Sequence, residues 1–313
     1  MHMVYLVPKS QFTRKLDRDR FASVRAMKVH LEERGGTLDY TGPEWDGWND
    51  DETAMENLKR LFPTTTFDLA LLYEMQDERG IAELPITKVL CCSEMYSDRI
   101  LNKHAKNNAD YVILHHTTEQ KRVEEVLRVP TYHIPHGCDH RVFKPDANVP
   151  RRYDFALIGR QSKSVYPLRH KLLHAIYRLR TMGYRCYVHK HPGYELDDPD
   201  AAMHDFVNVI RSTKIALTCS SVHKYRLSKY AEVPLCGTAL AADIPRDGKG
   251  FFKQFIVQLK HDASIDAIVA TLIKALPRWK HHAEHGRALT LQTSLQSHYA
   301  ERFFAAYTSF MAP

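Results

Sequence analysis

No stretch of the 313 residues approaches the roughly 20 consecutive apolar side chains that a membrane-crossing helix needs, and the amino terminus lacks a secretory pattern. The expected location is therefore the cytoplasm. Cysteine is sparse. Of the six, only Cys91 and Cys92 are close in sequence, and no Cys-x-x-Cys or Cys/His spacing of a zinc site occurs. Most lie in apolar runs, as buried reduced thiols do in a reducing compartment. Neither a Walker loop nor Gly-x-Gly-x-x-Gly is present, and there is no short-period repeat. What the chain does contain, 44% hydrophobic and 26% charged residues, excludes bulk disorder, and at about 150 residues per domain the length suggests two domains. Lys and Arg number 44 against 37 Asp and Glu, a surplus of seven, with 19 His beside them. The surplus favours anionic ligands; a nucleotide, a phosphorylated lipid and a nucleic acid satisfy it equally.

Short β-rich runs alternate with helical stretches, which predicts parallel α/β sheets. Strands are expected at 4–7, 37–40, 67–73, 87–92, 110–114 and 131–134, with helices over 20–34 and 119–127. Residues 136–152, with Gly137, Pro145, Pro150 and little apolar periodicity, break the rhythm as an interdomain linker does. A second series follows: strands at 154–159, 186–189, 214–218 and 238–242, helices over 168–182, 201–211, 229–233 and 265–276, and a single long helix over 286–309. This predicts two doubly wound α/β domains facing a cleft: residues 1–140, residues 151–285, and a tail of 286–313 that returns to brace the first. In such sheets ligands bind beyond the carboxyl ends of the strands.

Four clusters occupy those positions in the second half. Gly159-Arg160-Gln161-Ser162-Lys163 follows a strand; a glycine lets the backbone approach a phosphate, and Arg160 and Ser162 can donate to it, although a polar connecting loop has the same composition. His189-Lys190-His191 has the form of a metal pair but no third ligand at suitable spacing, so Lys190 or His191 contacting a base or phosphate is the better functional reading beside a solvated loop. In Arg226-Leu227-Ser228-Lys229-Tyr230-Ala231-Glu232, Lys229 and Arg226 can neutralise a diphosphate and Glu232 can accept both hydroxyls of a ribose; the plain alternative is a solvated helix. Asp17-Arg18-Asp19 and Asp197-Asp198 read as a salt-linked loop and a solvated turn. The fourth cluster, Ile134-Pro135-His136-Gly137-Cys138-Asp139 through Phe143 and Pro145, reads as a chain-reversing turn anchored by Phe143.

IPHGCDHRVFKP resembles the hinge of GT-B glycosyltransferases, YDFALIGRQS the start of their second domain, and KYAEVPLCGTALAAD their Glu-bearing element. The nearest class by these motifs is the CgeB-like, spore-maturation type of the glycosyltransferase group-1 superfamily. The resemblance spans residues 131–302 and is only architectural before that. It implies transfer of a sugar from a nucleotide-sugar, a UDP-sugar foremost, to an acceptor hydroxyl without a required metal. Gly159, Arg160 and Lys229 would contact the diphosphate, Lys190 or His191 the base, and Glu232 the ribose. The sequence departs from the family's E-x7-E pattern in having Lys224 eight residues before Glu232, which leaves donor sugar and stereochemical outcome open.

An inverting mechanism would need a base in the first domain. Glu94 ranks first because it follows the very apolar run Val89–Cys92, with Asp98, Glu74, His115 and His116 as further candidates. The acceptor is a glycan, a protein, a small molecule or a hydroxymethylated DNA base. The rival readings are a non-catalytic nucleic-acid-binding protein and a sugar-nucleotide epimerase of the same architecture.

Overall fold

The computed structural model describes residues 1–13, 18–73, 80–92, 95–193 and 196–312, with the side chains of 13, 18–22 and 73 outside the description. The chain divides into two compact units, the first formed by residues 1–136 and 296–313 and the second by residues 137–295.

In the first unit six strands, β1 (His2–Leu6), β2 (Thr37–Thr41), β3 (Leu69–Tyr73), β4 (Thr87–Cys92), β5 (Tyr111–Leu114) and β6 (Thr131–His133), form one parallel sheet in the order β2-β1-β3-β4-β5-β6. Its strands are apolar on both sides, as a sheet covered on both faces requires. Met3, Tyr5 and Val7 enter one core with Leu71, Val89 and Ile113, while Val4 and Leu6 enter the other with Leu72, Leu90 and Leu114. Helices α1 (Lys9–Thr13), α2 (Arg18–Glu32), α3 (Ala54–Leu61), α4 (Asp98–Ala105) and α5 (Gln120–Leu127) connect the strands. α3 begins in a capping box, Thr53 Oγ1 accepting from the Glu56 amide while the Glu56 carboxylate accepts from the Thr53 amide.

The second unit holds five parallel strands, β7 (Tyr153–Leu157), β8 (Cys186–Val188), β9 (Thr213–Leu217), β10 (Ala239–Ala242) and β11 (Val257–Gln258), in the order β11-β10-β9-β7-β8. Its helices are α6 (Pro167–Thr181), α7 (Pro199–Arg211), α8 (Lys229–Leu235), α9 (Lys249–Phe252), α10 (Ile265–Ala275) and α11 (Trp279–Thr293). On one sheet face Phe155, Leu157, Ile215, Leu217, Ala239 and Ala241 pack against Leu168, Leu172, Ile176 and Leu179 of α6 and Ile268 and Leu272 of α10. Asp198, expected in a solvated turn, caps α7 by accepting from the Ala201 amide at 2.8 Å.

The single terminal helix expected over 286–309 is two helices. The first is α11, and Ser294 and Leu295, just beyond its end, bond back to Cys138, whose amide donates to the Ser294 carbonyl at 2.9 Å. The second is α12 (Gln296–Met311), which belongs to the first unit and packs Tyr299, Ala300, Phe303 and Ala306 into its core beside Val24, Met27 and Leu31 of α2.

Candidate active site

Strand order reverses direction once in the second sheet: β8 lies on one side of β7 and β9 on the other. A crevice at the carboxyl ends of two such strands is where open α/β sheets bind ligands. The residues leaving β7 are Ile158-Gly159-Arg160, and those leaving β9 are Thr218-Cys219-Ser220-Ser221.

A buried arginine joins the two exits. Arg169, in the first turn of α6, is 1% exposed; its Nη1 donates to the Arg160 carbonyl at 2.7 Å and its Nη2 to the Cys219 carbonyl at 3.0 Å. Its guanidinium also lies 4.1 Å from the centre of the Tyr166 ring. Gly159 has φ +90°, and a Cβ there would stand 2.8 Å from Arg169 Nη1 and 3.0 Å from Lys229 Cε. Only glycine meets both the backbone conformation and the close approach. Lys229 opens α8 and holds its ammonium 5.3 Å from the Phe206 ring centre of α7. Among the described residues neither Arg169 nor Lys229 has a carboxylate in ion-pair contact. A buried ion without a counter-charge costs several kcal/mol, and among the described residues none supplies that charge to buried Arg169 or half-buried Lys229.

Three buried polar atoms in this neighbourhood have no hydrogen-bond partner among the described residues: Arg169 Nε, Thr218 Oγ1 and Glu232 Oε2. Glu232 is 5% exposed, one helical turn beyond Lys229 on α8. An orphaned buried carboxylate oxygen costs about 1–3 kcal/mol or more, and the described residues offer Glu232 Oε2 no donor.

On the exit of β8, His189 is buried and its Nε2 lies 3.1 Å from the Asp205 carboxylate; burial lowers its pKa against the pull of Asp205. His191 Nδ1 accepts from the Gly193 amide at 3.1 Å, which requires the neutral ring. Burial first, then the charges of Lys229, His189, Arg160 and Arg169, push the His191 pKa down to about 4. The ring thus reports a cluster of positive charge in the second unit. Lys190 between them is exposed.

Behind this cradle, Asp243 at the end of β10 gathers the surrounding loops. It accepts from the Ser220 amide at 2.8 Å, Ser220 Oγ at 2.5 Å, Tyr230 OH of α8 at 3.1 Å and His261 Nε2 at 2.7 Å, while Lys224 Nζ lies at 3.5 Å and also touches His261. Burial alone would raise the Asp243 carboxyl, but these hydrogen bonds hold it well below the usual carboxylate range. Asp243 thereby ties α8 to the exit of β9. Lys224, at the position where the family resemblance expects glutamate, carries a positive φ of 59° within this network.

Of the expected donor-site residues, Gly159, Arg160, Lys229 and His191 come together around Arg169. Ser162 Oγ bonds Ser164 Oγ at 3.0 Å on the loop that follows Arg160. Arg226 is held elsewhere: its Nη2 donates to Ser294 Oγ at 2.6 Å and its guanidinium lies 5.2 Å from the Phe252 ring centre. Sequence reasoning passed over Arg169 and Asp243. In the first unit Glu94 and Glu74 lie outside the described residues. Asp98 starts α4 with its side chain 81% exposed and paired with Arg122. His115 and His116 are buried at the end of β5; His115 Nδ1 bonds the Ile134 carbonyl at 2.8 Å, and its ring centre lies 3.9 Å from that of His136. Among the described residues no three His, Cys, Asp or Glu side chains gather as a metal set would, and no helix is long and apolar enough to cross a membrane.

No protein-family model matches the chain, and no curated protein matches it by sequence. Solved structures do match by fold. Sucrose-phosphate synthase from Thermosynechococcus elongatus superposes with a TM-score of 0.66 at 12% identity, over 99% of this chain and 98% of that one. An alpha-glucosyltransferase in complex with UDP and a 13-mer DNA containing a hydroxymethyluracil (HMU) base gives 0.65 at 10% identity over 100% of both chains. Anabaena HepE, in complex with UDP and glucose, gives 0.58 at 12% identity over 99% and 100%. The chain has the fold of the GT-B glycosyltransferases, two parallel-sheet α/β units. These neighbours include enzymes solved with UDP or UDP-glucose, and one with DNA.

Proposed function

We propose that the protein is a nucleotide-sugar-dependent glycosyltransferase, closest in kind to the CgeB-like class, whose second unit binds the donor and whose first unit binds the acceptor. The observation that carries this reading is the buried Glu232 Oε2, without a hydrogen-bond partner among the described residues, one turn from a lysine that, with buried Arg169, has no counter-ion among them. A nucleoside diphosphate supplies both missing partners at once: ribose hydroxyls for the carboxylate, and a diphosphate for the cations. The UDP-bound neighbours support a UDP-sugar as the donor.

In the proposed reaction the bond from the anomeric carbon to the diphosphate oxygen breaks and a bond to the acceptor hydroxyl oxygen forms. Negative charge grows on the departing diphosphate, so groups that bind that charge lower the barrier. Arg160, Lys229 and the amides near the start of α6 fill this role without a metal ion. Arg169 is a positioning residue that locks the β7 and β9 exits together. Glu94 remains our assignment for the base that takes the acceptor proton; Asp98 is the weaker choice because it is exposed and paired with Arg122. The reading is tested by UDP release from UDP-sugars: Glu232→Ala is expected to abolish donor binding with the fold intact, and unchanged donor affinity would refute the assignment.

A further inference from the structure

Three of the chain's 19 histidines, His281, His282 and His285, lie within two turns of α11, and none of them belongs to the proposed donor site. The helix buries Ala283, Gly286 and Thr290, which recur at three- and four-residue spacing. Gly286 sits hard against Phe255, where a Cβ would stand 2.7 Å from the ring, and this contact fixes which way the helix faces. His282 is tied to the same residue, its Nδ1 donating to the Phe255 carbonyl at 3.0 Å.

His281 and His285, one turn apart, stand on the opposite face of α11, the first exposed and the second half-buried. Their ring centres are 6.1 Å apart, and neither ring makes a hydrogen bond to a described residue. A neutral imidazole offers a metal its nitrogen lone pair. Two histidines at i and i+4 on one helix face are a recurrent ligand pair. With metal–nitrogen bonds of about 2.0–2.1 Å, two imidazoles on one tetrahedral ion place their ring centres about 5 Å apart. Side-chain rotation on the solvent face closes the remaining gap.

A second pair of this spacing exists on α6, where the ring centres of His170 and His174 are 5.5 Å apart. Charge separates the two. Residues 155–194, which include α6, hold eight Lys and Arg and no Asp or Glu, a field that repels a divalent cation. On α11 Arg278, Lys280 and Arg287 are also cationic, but exposed Glu284, beside His285 in sequence, offsets part of their charge. Salt screens the rest beyond about 8–10 Å on an exposed face. We propose that His281 and His285 form a two-histidine chelate for a late first-row divalent ion, Zn²⁺ or Ni²⁺, whose remaining positions are left to water. It is a binding site distinct from structural and catalytic zinc centres, which take three or four protein ligands.

Calorimetric titration of the full chain with NiCl₂ and ZnCl₂ tests this. Both are expected to bind saturably, while MgCl₂ is silent because Mg²⁺ takes oxygen ligands. His281→Ala and His285→Ala each weaken Ni²⁺ binding by at least about tenfold, since the second histidine of a chelate acts at high effective concentration. His174→Ala leaves it within about twofold of wild type. Should an α11 variant melt early, NMR of the wild type provides the second readout: substoichiometric Ni²⁺ broadens the ring signals of His281 and His285 before those of the other histidines. No Ni²⁺ binding below about 1 mM, unchanged binding in both α11 variants, loss in His174→Ala instead, or first broadening at other histidines overturns the inference. None of these measurements involves UDP, so they stand or fall apart from the donor assignment.

Discussion

Gly159 lies so close to Arg169 that a side chain begun at its α-carbon would stand 2.8 Å from the guanidinium. Two loops are thereby locked, because the same guanidinium bonds the carbonyls of Arg160 and Cys219. Gly159→Ala must shift the guanidinium and also adopt φ near +90°, at a cost of about 1–3 kcal/mol. We expect a lower melting temperature together with at least a tenfold loss of UDP affinity, read by thermal melting and calorimetry. A variant that melts lower yet binds UDP as the wild type does would leave Gly159 a purely structural role.

Arg169 carries a charge that the described residues do not balance. Arg169→Met removes that charge and both carbonyl contacts while keeping most of the volume. The melting-temperature rise that UDP gives the wild type should vanish in this variant. Binding to the native state alone raises stability by mass action, so the missing rise reads directly as missing affinity.

His191 reports the same charge cluster by titration. In the free protein its ring should titrate at about 4, held down by burial and then by Lys229, His189, Arg160 and Arg169. A bound diphosphate offsets those cations and raises the value, so UDP binding takes up protons and strengthens as the pH falls towards 5. Histidine NMR titration with and without UDP measures this; a value that UDP leaves unmoved would place the diphosphate elsewhere.

Asp243 should set the stability of the second unit. Asp243→Asn loses charge-assisted bonds from Ser220 and His261, worth about 2–3 kcal/mol. The folded-state carboxyl titrates below its ordinary value of 3.8, so its stabilisation is complete above that value and fades as the pH falls beneath it. The melting-temperature gap between wild type and variant is therefore widest from about pH 5 upward and narrows below about pH 4.

Much of this architecture was legible because apolar strand runs and helical periods are local signals. The Val89–Cys92 run and the Leu172, Ile176 and Leu179 stripe each announced their element. The placement of Gly159 beside Lys229 was legible because both follow strand ends, where such sheets bind ligands; their role as donor contacts, like that of Glu232, is our proposal. Arg169 escaped because an arginine in a helix is ordinarily solvated. Its register betrayed it all the same: positions 169, 172, 176 and 179 share one buried face. Asp243 gave only a carboxylate after the run Ala239–Ala242, and its partners Ser220, Tyr230 and His261 are scattered along the chain. The break between α11 and α12 is likewise non-local, being fixed by the pairing of Ser294 and Leu295 with Cys138.

Calorimetric titration of the full chain with UDP, GDP and ADP, in wild type and Glu232→Ala, tests the central claim most directly. The account predicts saturable binding of a nucleoside diphosphate, UDP foremost, by the wild type and its loss in a variant that still melts cooperatively. Wild-type protein that binds none of the three, or Glu232→Ala that binds as tightly as wild type, would contradict it.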